Sequence, residues 1–303
     1  MATDPRIEFD AETLHQVFSD PAQAAAWLDK ALGEPRMGYH DRLVTGSSAL
    51  LLGRCELAEA ELSAAKAAAT PVQLRLVTKE LASVHAAQGR FELAEAELAV
   101  CLSELEPTHP GRHLFVEAAG VCAYDAGDWT LARRRFAEGL DLLSHTRSDA
   151  MTASLRTAFD AADACVTAQS MAVELNRLSG LETETTTRLR DEPDEVLELA
   201  EAAVAGTGPS EGPVFAGMAA ASPDESRESR LFEALFALRH HRADAHAAAW
   251  LAEGLTADAV RALTDDDPLR KRIETVTDRV ASRAYRHLTV EQRAGLLDGL
   301  RRR

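Results

Sequence analysis

Three glycine-led hexapeptides, repeated in one phase, constrain this chain more than any other feature. Gly53-Arg54-Cys55-Glu56-Leu57-Ala58, Gly89-Arg90-Phe91-Glu92-Leu93-Ala94 and Gly127-Asp128-Trp129-Thr130-Leu131-Ala132 read glycine, polar, bulky apolar, any, leucine, alanine. Four residues past each alanine stands a large apolar side chain, Leu62, Leu98 or Phe136. Three further on comes a small one, Ala65, Cys101 or Gly139. The glycines are 36 and 38 residues apart, the period of a repeating two-helix unit. In such a unit the glycine marks the tight turn between helix A and helix B, where a residue without Cβ can take positive φ. The alanine sits where the two helices cross, and a larger side chain there would push them apart. The units are expected over roughly 37–70, 71–108 and 109–146, with Pro71 and Pro110 in the turns between them.

Composition agrees with helix. Alanine and leucine dominate, and both lose little side-chain freedom in a helix; β-branched and aromatic residues are sparse, so no sheet is expected. The formal net charge is −16 and is spread over both halves. A uniformly acidic chain repels phosphate backbones, so no nucleic-acid partner is expected. The one basic stretch, Pro268 to Arg303, holds Arg270, Lys271, Arg272, Arg279, Arg283, Arg286, Arg293 and Arg301-Arg302-Arg303. These fit solvated faces and a helix C-terminus, or an anion or acidic-partner site. Cys55, Cys101, Cys122 and Cys165 are far apart and without a C-x-x-C pair, which suits buried thiols in a reducing compartment. With no secretory signal and no apolar run near the ~18 residues of a spanning helix, a cytoplasmic location and no membrane contact are expected.

Ahead of the repeats, residues 1–36 are expected to form degenerate capping helices: Ala11 to Phe18 capped by Asp10, then Ala22 to Leu32 opened by Asp20-Pro21. Behind them, Met151 to Leu178 reads as one long closing helix, and the threonine-rich Ser179 to Thr187 as a hinge. The third region, 190–303, is expected to be a separate helical domain. It holds helices at Asp194 to Ala205, at Ser226 towards Trp250 (capped by Ser222-Pro223-Asp224-Glu225), and at Ala257 to Leu263, Pro268 to Arg283 and Val290 to Leu300. Gly206 to Pro223 reads as irregular. Gly206-x-Gly208 with Gly212 is no dinucleotide loop, because it follows a helix, includes Pro209 and has no strand before it.

The repeats resemble tetratricopeptide repeats: Gly53, Leu57-Ala58, Leu62 and Ala65 and their equivalents occupy signature positions, with Gly46, Ala82 and Gly120 at the small site of helix A. The resemblance covers about 110 residues and departs at the family's closing proline. It implies an all-α solenoid over 37–178 whose concave groove, lined by A helices, accepts a peptide or partner helix. Arg42, Lys79, Glu80, His85, Glu117 and Tyr124 are the candidate groove residues, each also readable as ordinary solvated surface.

Arg239-His240-His241-Arg242-Ala243-Asp244-Ala245-His246 concentrates the chain's most versatile side chains. At helical spacing His240 and Asp244 are neighbours, as are His241 and Asp244, and Arg242 and His246. A carboxylate beside an imidazole fixes its tautomer and raises its basicity. The cluster His241, Arg242, Asp244 and His246 therefore reads as helix-face pairing, as a small-molecule pocket, or as a catalytic or metal site. The zincin pattern of two histidines flanking a glutamate is absent. No nucleophile, phosphate loop or metal motif accompanies the cluster, so no cofactor, metal or enzymatic activity is expected.

Residues 190–300 are similar to the C-terminal half of an actinobacterial helical family named for a helix-turn-helix and of unresolved function. The similarity rests on Glu211-Gly212-Pro213, Leu231-Phe232, Leu238-Arg239-x-His241-Arg242-x-Asp244-x-His246, and Arg272-Ile273-Glu274 with Thr277-Asp278-Arg279. The resemblance implies a winged-helix unit between Gly254-Leu255 and Pro268-Leu269, where this chain has only about a dozen residues. Three functions follow as expectations. The leading one is an adaptor that binds a protein partner of unknown identity through the solenoid, with the C-terminal domain as a second surface or a homodimer contact. The second is a ligand-responsive regulator with its pocket at the cluster. The third, an enzyme using His241 or His246 as base, lacks support from the repeats.

Overall fold

A computed structural model describes residues 5–34, 38–144, 149–179, 193–208, 211–220 and 226–301. Among these the chain is all-α, with fourteen α-helices and a single two-stranded sheet. It divides into two compact units, Met1–Phe159 and Asp160–Arg303.

The first unit opens with that sheet, which corrects the expected helix at Ala11 to Phe18 and the expectation of no sheet. Strand β1 (Ile7–Phe9) pairs antiparallel with β2 (Gln16–Phe18), Ile7 opposite Phe18 and Phe9 opposite Gln16. The misreading has a local cause. Asp10 does bind backbone and side chain just ahead of it, accepting from Glu12 N at 2.8 Å and Thr13 Oγ1 at 2.9 Å. An Asp that folds the chain back this way offers it an alternative to helix. Helix α1 (Pro21–Gly33) then starts where expected, with Asp20 accepting from Gln23 N at 2.9 Å.

Three helical hairpins follow: α2 (Tyr39–Leu51) with α3 (Cys55–Ala68), α4 (Pro71–Ala87) with α5 (Phe91–Ser103), and α6 (Arg112–Asp125) with α7 (Trp129–Leu143). Each hairpin also packs on the next, α3 on α4 and α5 on α6. The turn glycines Gly53, Gly89 and Gly127 take φ of 70°, 75° and 80°, the left-handed region that a Cβ disfavours. Ala58, Ala94 and Ala132 are fully buried, as are Leu62, Leu98 and Phe136. Close approach fixes the small site of helix A as well: a Cβ on Gly46 would lie 2.6 Å from Leu62 Cγ, and one on Gly120 2.5 Å from Phe136 Cε1. Repeat and interior are therefore one pattern seen twice.

Helix α8 (Asp149–Ser179) is the long helix expected there, and the division between the units falls inside it. The second unit continues with α9 (Asp194–Gly206), α10 (Pro213–Ala219), α11 (Arg227–Ala252), α12 (Ala257–Ala262) and α13 (Pro268–Ala281). A 3₁₀ turn (Ser282–Tyr285) and α14 (Val290–Arg301) complete it. Helix α10 corrects the irregular reading of Gly206 to Pro223; Pro213 at its first position suits a helix start. The helix expected to run through Arg283 tightens instead into the 3₁₀ turn. The threonine-rich segment from Gly180 and the cap at Ser222 to Glu225 lie outside the described residues, and Ser226 caps α11 by accepting from Ser229 N. The central helix is α11, with α9, α10 and α13 packed on it. Met171, Leu199, Ala200, Leu231, Leu238, Tyr285 and Leu296 build the apolar core beside it.

A charged group is sunk into the same unit. Arg293 is 2% exposed; it donates to Asp163 Oδ2 at 2.8 Å and, through Nε, to Tyr285 O at 2.9 Å. Burying two charges is tolerable only when they are paired and hydrogen-bonded in this way.

Candidate functional site

The polar cluster lies on α11, and helical spacing sends its members to two different faces. On one, the carboxylate of Asp244 accepts from Val214 N and Phe215 N, both at 2.9 Å. It thus caps the start of α10 from thirty residues away, satisfying donors that a helix leaves open. Asp244 therefore orients no histidine, contrary to the pairing that i,i+3 and i,i+4 spacing suggested. His241 is 1% exposed, its ring 5.2 Å from that of Phe215. Its Nε2 stands 3.7 Å from Glu211 Oε2, beyond hydrogen-bond reach, and neither ring nitrogen has a partner. Glu211 is itself held by Arg283 at 3.1 Å. Burial lowers the pKa of His241, against the opposing pull of Glu211.

On the other face, Arg242 and His246 meet α13. Arg242 forks between Asp278 and Glu274, donating to Glu274 Oε2 at 3.1 Å. Asp278 also accepts from Gln169 Nε2 at 2.7 Å. His246 Nδ1 lies 3.1 Å from Thr277 Oγ1. That hydroxyl already donates to Ile273 O at 2.8 Å, so Nδ1 is placed to donate to it. Arg242, His246, Arg239, Gln169, Glu274 and Asp278 are among the residues lining a cavity of about 650 Å³, with His240 and Asn176 beside them. The four residues singled out in sequence thus split in pairs, and only Arg242 and His246 share this cavity. Gln169 and Asn176 carried no signal, since nothing in a sequence puts α8 beside α11. Glu274 and Asp278 did carry one, in the last stretch of the family resemblance.

Among the hairpins, Lys79 and Glu80 of α4 pair at 2.6 Å, and Ser47 of α2 donates to Glu80 Oε2 at 3.1 Å. Arg42 turns to Glu61 of its own hairpin at 3.3 Å. Glu117 on α6 is partly buried; desolvation raises its pKa, with Lys79 and His113 opposing. Two residues leave the expected groove. His85 is buried, with Nδ1 2.7 Å from Glu97 Oε2 on α5. Tyr124 is fully buried, edge-on to Trp129 at 4.9 Å between ring centres. His85 is drawn in by the Glu97 carboxylate of its own helix B, and the ring of Tyr124 by packing on Trp129. Among the described residues no group of three or more His, Cys, Asp and Glu is disposed to hold a metal ion, and no helix is long and apolar enough to cross a membrane.

Residues 137–267 match the model of a family described as a helix-turn-helix family. The match starts within α7 and ends at the Asp267 cap of α13, covering less than half of the chain. It overlaps the resemblance drawn above over 190–267 and reaches further back. No curated protein and no solved structure matches this chain. Between Leu255 and Pro268 the chain forms only α12, of six residues, and no strand is present there. Three arginines in and just after this stretch face acids: Arg261 pairs with Asp258 at 3.2 Å, Arg270 with Asp265 at 3.3 Å and Arg272 with Glu253 at 3.7 Å.

Proposed function

We propose that this protein is a non-catalytic adaptor that holds a segment of a partner protein on the face formed by helices α2, α4 and α6, as tetratricopeptide-like solenoids do. One observation carries the reading: three hairpins built to one plan set their first helices side by side, α2 against α4 and α4 against α6. A row of helices in register offers a partner evenly spaced side chains on a rigid support. Glu80, Glu117 and Asp125 on these helices offer partners to a basic or imidazole-bearing segment. The helix-turn-helix family match supports a regulatory setting, in which the adaptor reports to or assembles with other proteins. The charge-paired stretch at α12 and the net charge of −16 favour a protein over a nucleic acid as partner. The test is affinity capture from native cell extract with the full chain and with Glu80→Lys/Glu117→Lys. A partner retained by the first and lost at least tenfold with the second supports the adaptor; equal retention by both sinks it.

A second reading has its own observation, the cavity of about 650 Å³ lined by Arg239 and His246. It makes the C-terminal unit a sensor of a small acid, with Arg239 as its cation because Arg242 is committed to Asp278 and Glu274. Thermal stabilisation by small carboxylic acids, abolished in Arg239→Ala, would favour this reading.

A further inference from the structure

The hairpin at residues 7–18 does more than close the open end of the array. Its base rests where the array begins, strand β2 packing on α1 and α2. Its tip reaches the other end of the row: His15 Nε2 is 2.9 Å from Asp125 Oδ2, the last residue of α6. Touching α2 through β2 and α6 through His15, the hairpin bridges the first and the last helix of the row. The tip is also shaped for the job. Leu14 is the sole non-glycine residue with positive φ among the described residues, at 62°, yet it is 3% exposed. A leucine adopts that conformation only when its surroundings hold it there. Asp10 folds the turn from inside, and Phe18 is buried at the base.

We infer that residues 7–18 are a built-in occupant of the α2–α4–α6 face, which a partner must displace. The partner segment is accordingly a strand-forming peptide with a bulky apolar residue in the place of Leu14 and an imidazole or a cation facing Asp125. That this competitor is a partner protein rests on the adaptor reading; the seat of the hairpin does not. Occupation by the chain's own segment lowers the apparent affinity for any outside one by the fraction of time the face is free. Binding is thereby made conditional on whatever loosens the hairpin.

The probe is a fluorescent synthetic peptide of residues 5–20, titrated onto the full chain by anisotropy. The wild-type protein is expected to bind it poorly, because its own copy is in place. Leu14→Asp puts a charge in the buried tip and should raise affinity for the peptide about tenfold or more, and adding Asp125→Asn should remove most of that gain. Circular dichroism melts accompany each variant. If Leu14→Asp lowers the helical melt, His15→Ala, which severs only the contact to α6, supplies the same comparison. A well-folded release variant that binds no better than wild type overturns the inference. So does a gain that Asp125→Asn leaves untouched. Peptide binding in trans together with capture that ignores Glu80 and Glu117 would uphold the hairpin's seat and defeat the adaptor reading alone.

Discussion

The two units solve the same packing problem in opposite ways. In the hairpin unit the repeated junctions are local and apolar: a glycine turns the chain, and an alanine or glycine on one helix receives a leucine or phenylalanine from the next. At these junctions the partners lie no more than about one repeat apart in sequence, and the same solution is used three times. In the second unit the decisive contacts are polar and remote. Arg293 meets Asp163 from 130 residues away, Gln169 meets Asp278 across 109, and Asp244 caps a helix from the far side of a loop. A repeated interior spreads its stability over many equivalent contacts. One stitched by single charged pairs concentrates it, and loses more when one stitch is cut.

The sharpest test of that contrast is Arg293. Removing it as Arg293→Ala leaves Asp163 buried without its counter-charge, at an expected cost of about 3–5 kcal/mol in denaturant unfolding. Replacing both partners as Arg293→Leu/Asp163→Leu should cost much less than the single change, because it is the orphaned charge that is expensive. A double variant no better than the single one would show that shape, not charge, is what Arg293 supplies.

The corresponding change in the hairpin unit is smaller. Gly120→Ala drives a methyl to within 2.5 Å of the Phe136 ring, an overpacking worth about 1–3 kcal/mol. Gly217→Ala, whose new Cβ would meet nothing within 4 Å, serves as its control and should be nearly neutral or slightly favourable in its helix. If the two glycines respond alike, close approach is not what the small site of helix A encodes.

The same contrast explains what could be read in advance. The hairpins were legible because their contacts repeat: Gly46 and Gly120 declare a close crossing by standing in phase, and Gly53, Gly89 and Gly127 declare three turns. The hairpin at 7–18 was not, since Asp10 signals a turn and a helix start with identical chemistry and only tertiary contacts choose between them. The cluster on α11 was found by composition and misassigned in detail. Spacing along one helix showed which side chains are neighbours on α11, but the donors that claimed Asp244 sit on α10 and the acids that claimed Arg242 sit on α13. His85 and Tyr124 failed as groove residues for a related reason, because an A helix also has a face turned to its own B helix.

Acid should move the two units in opposite directions, the smallest effect in the series and the one that most directly opposes them. Burial lowers the pKa of His241 from 6.5. The unfolded chain therefore takes up this proton first, and the stability owed to a neutral His241 is present above about pH 6.5 and is lost as pH falls towards the lowered folded value. Burial raises the pKa of Glu117 above 4.5. There the native state takes up the proton first, so a penalty present at pH 7 disappears as pH falls through the folded value towards 4.5. Hydrogen exchange resolves each unit separately. As pH falls below 6.5 protection should fall around α10 and α11, and as it falls through the raised value of Glu117 towards 4.5 it should rise around α6. Glu117→Gln should stabilise α6 at pH 7 and make no difference near pH 4, whereas His241→Phe should flatten the response of α11 alone. Curves that stay parallel to wild type in both variants would mean that neither buried group senses the pH in this range, and that the opposition between the units is one of packing only.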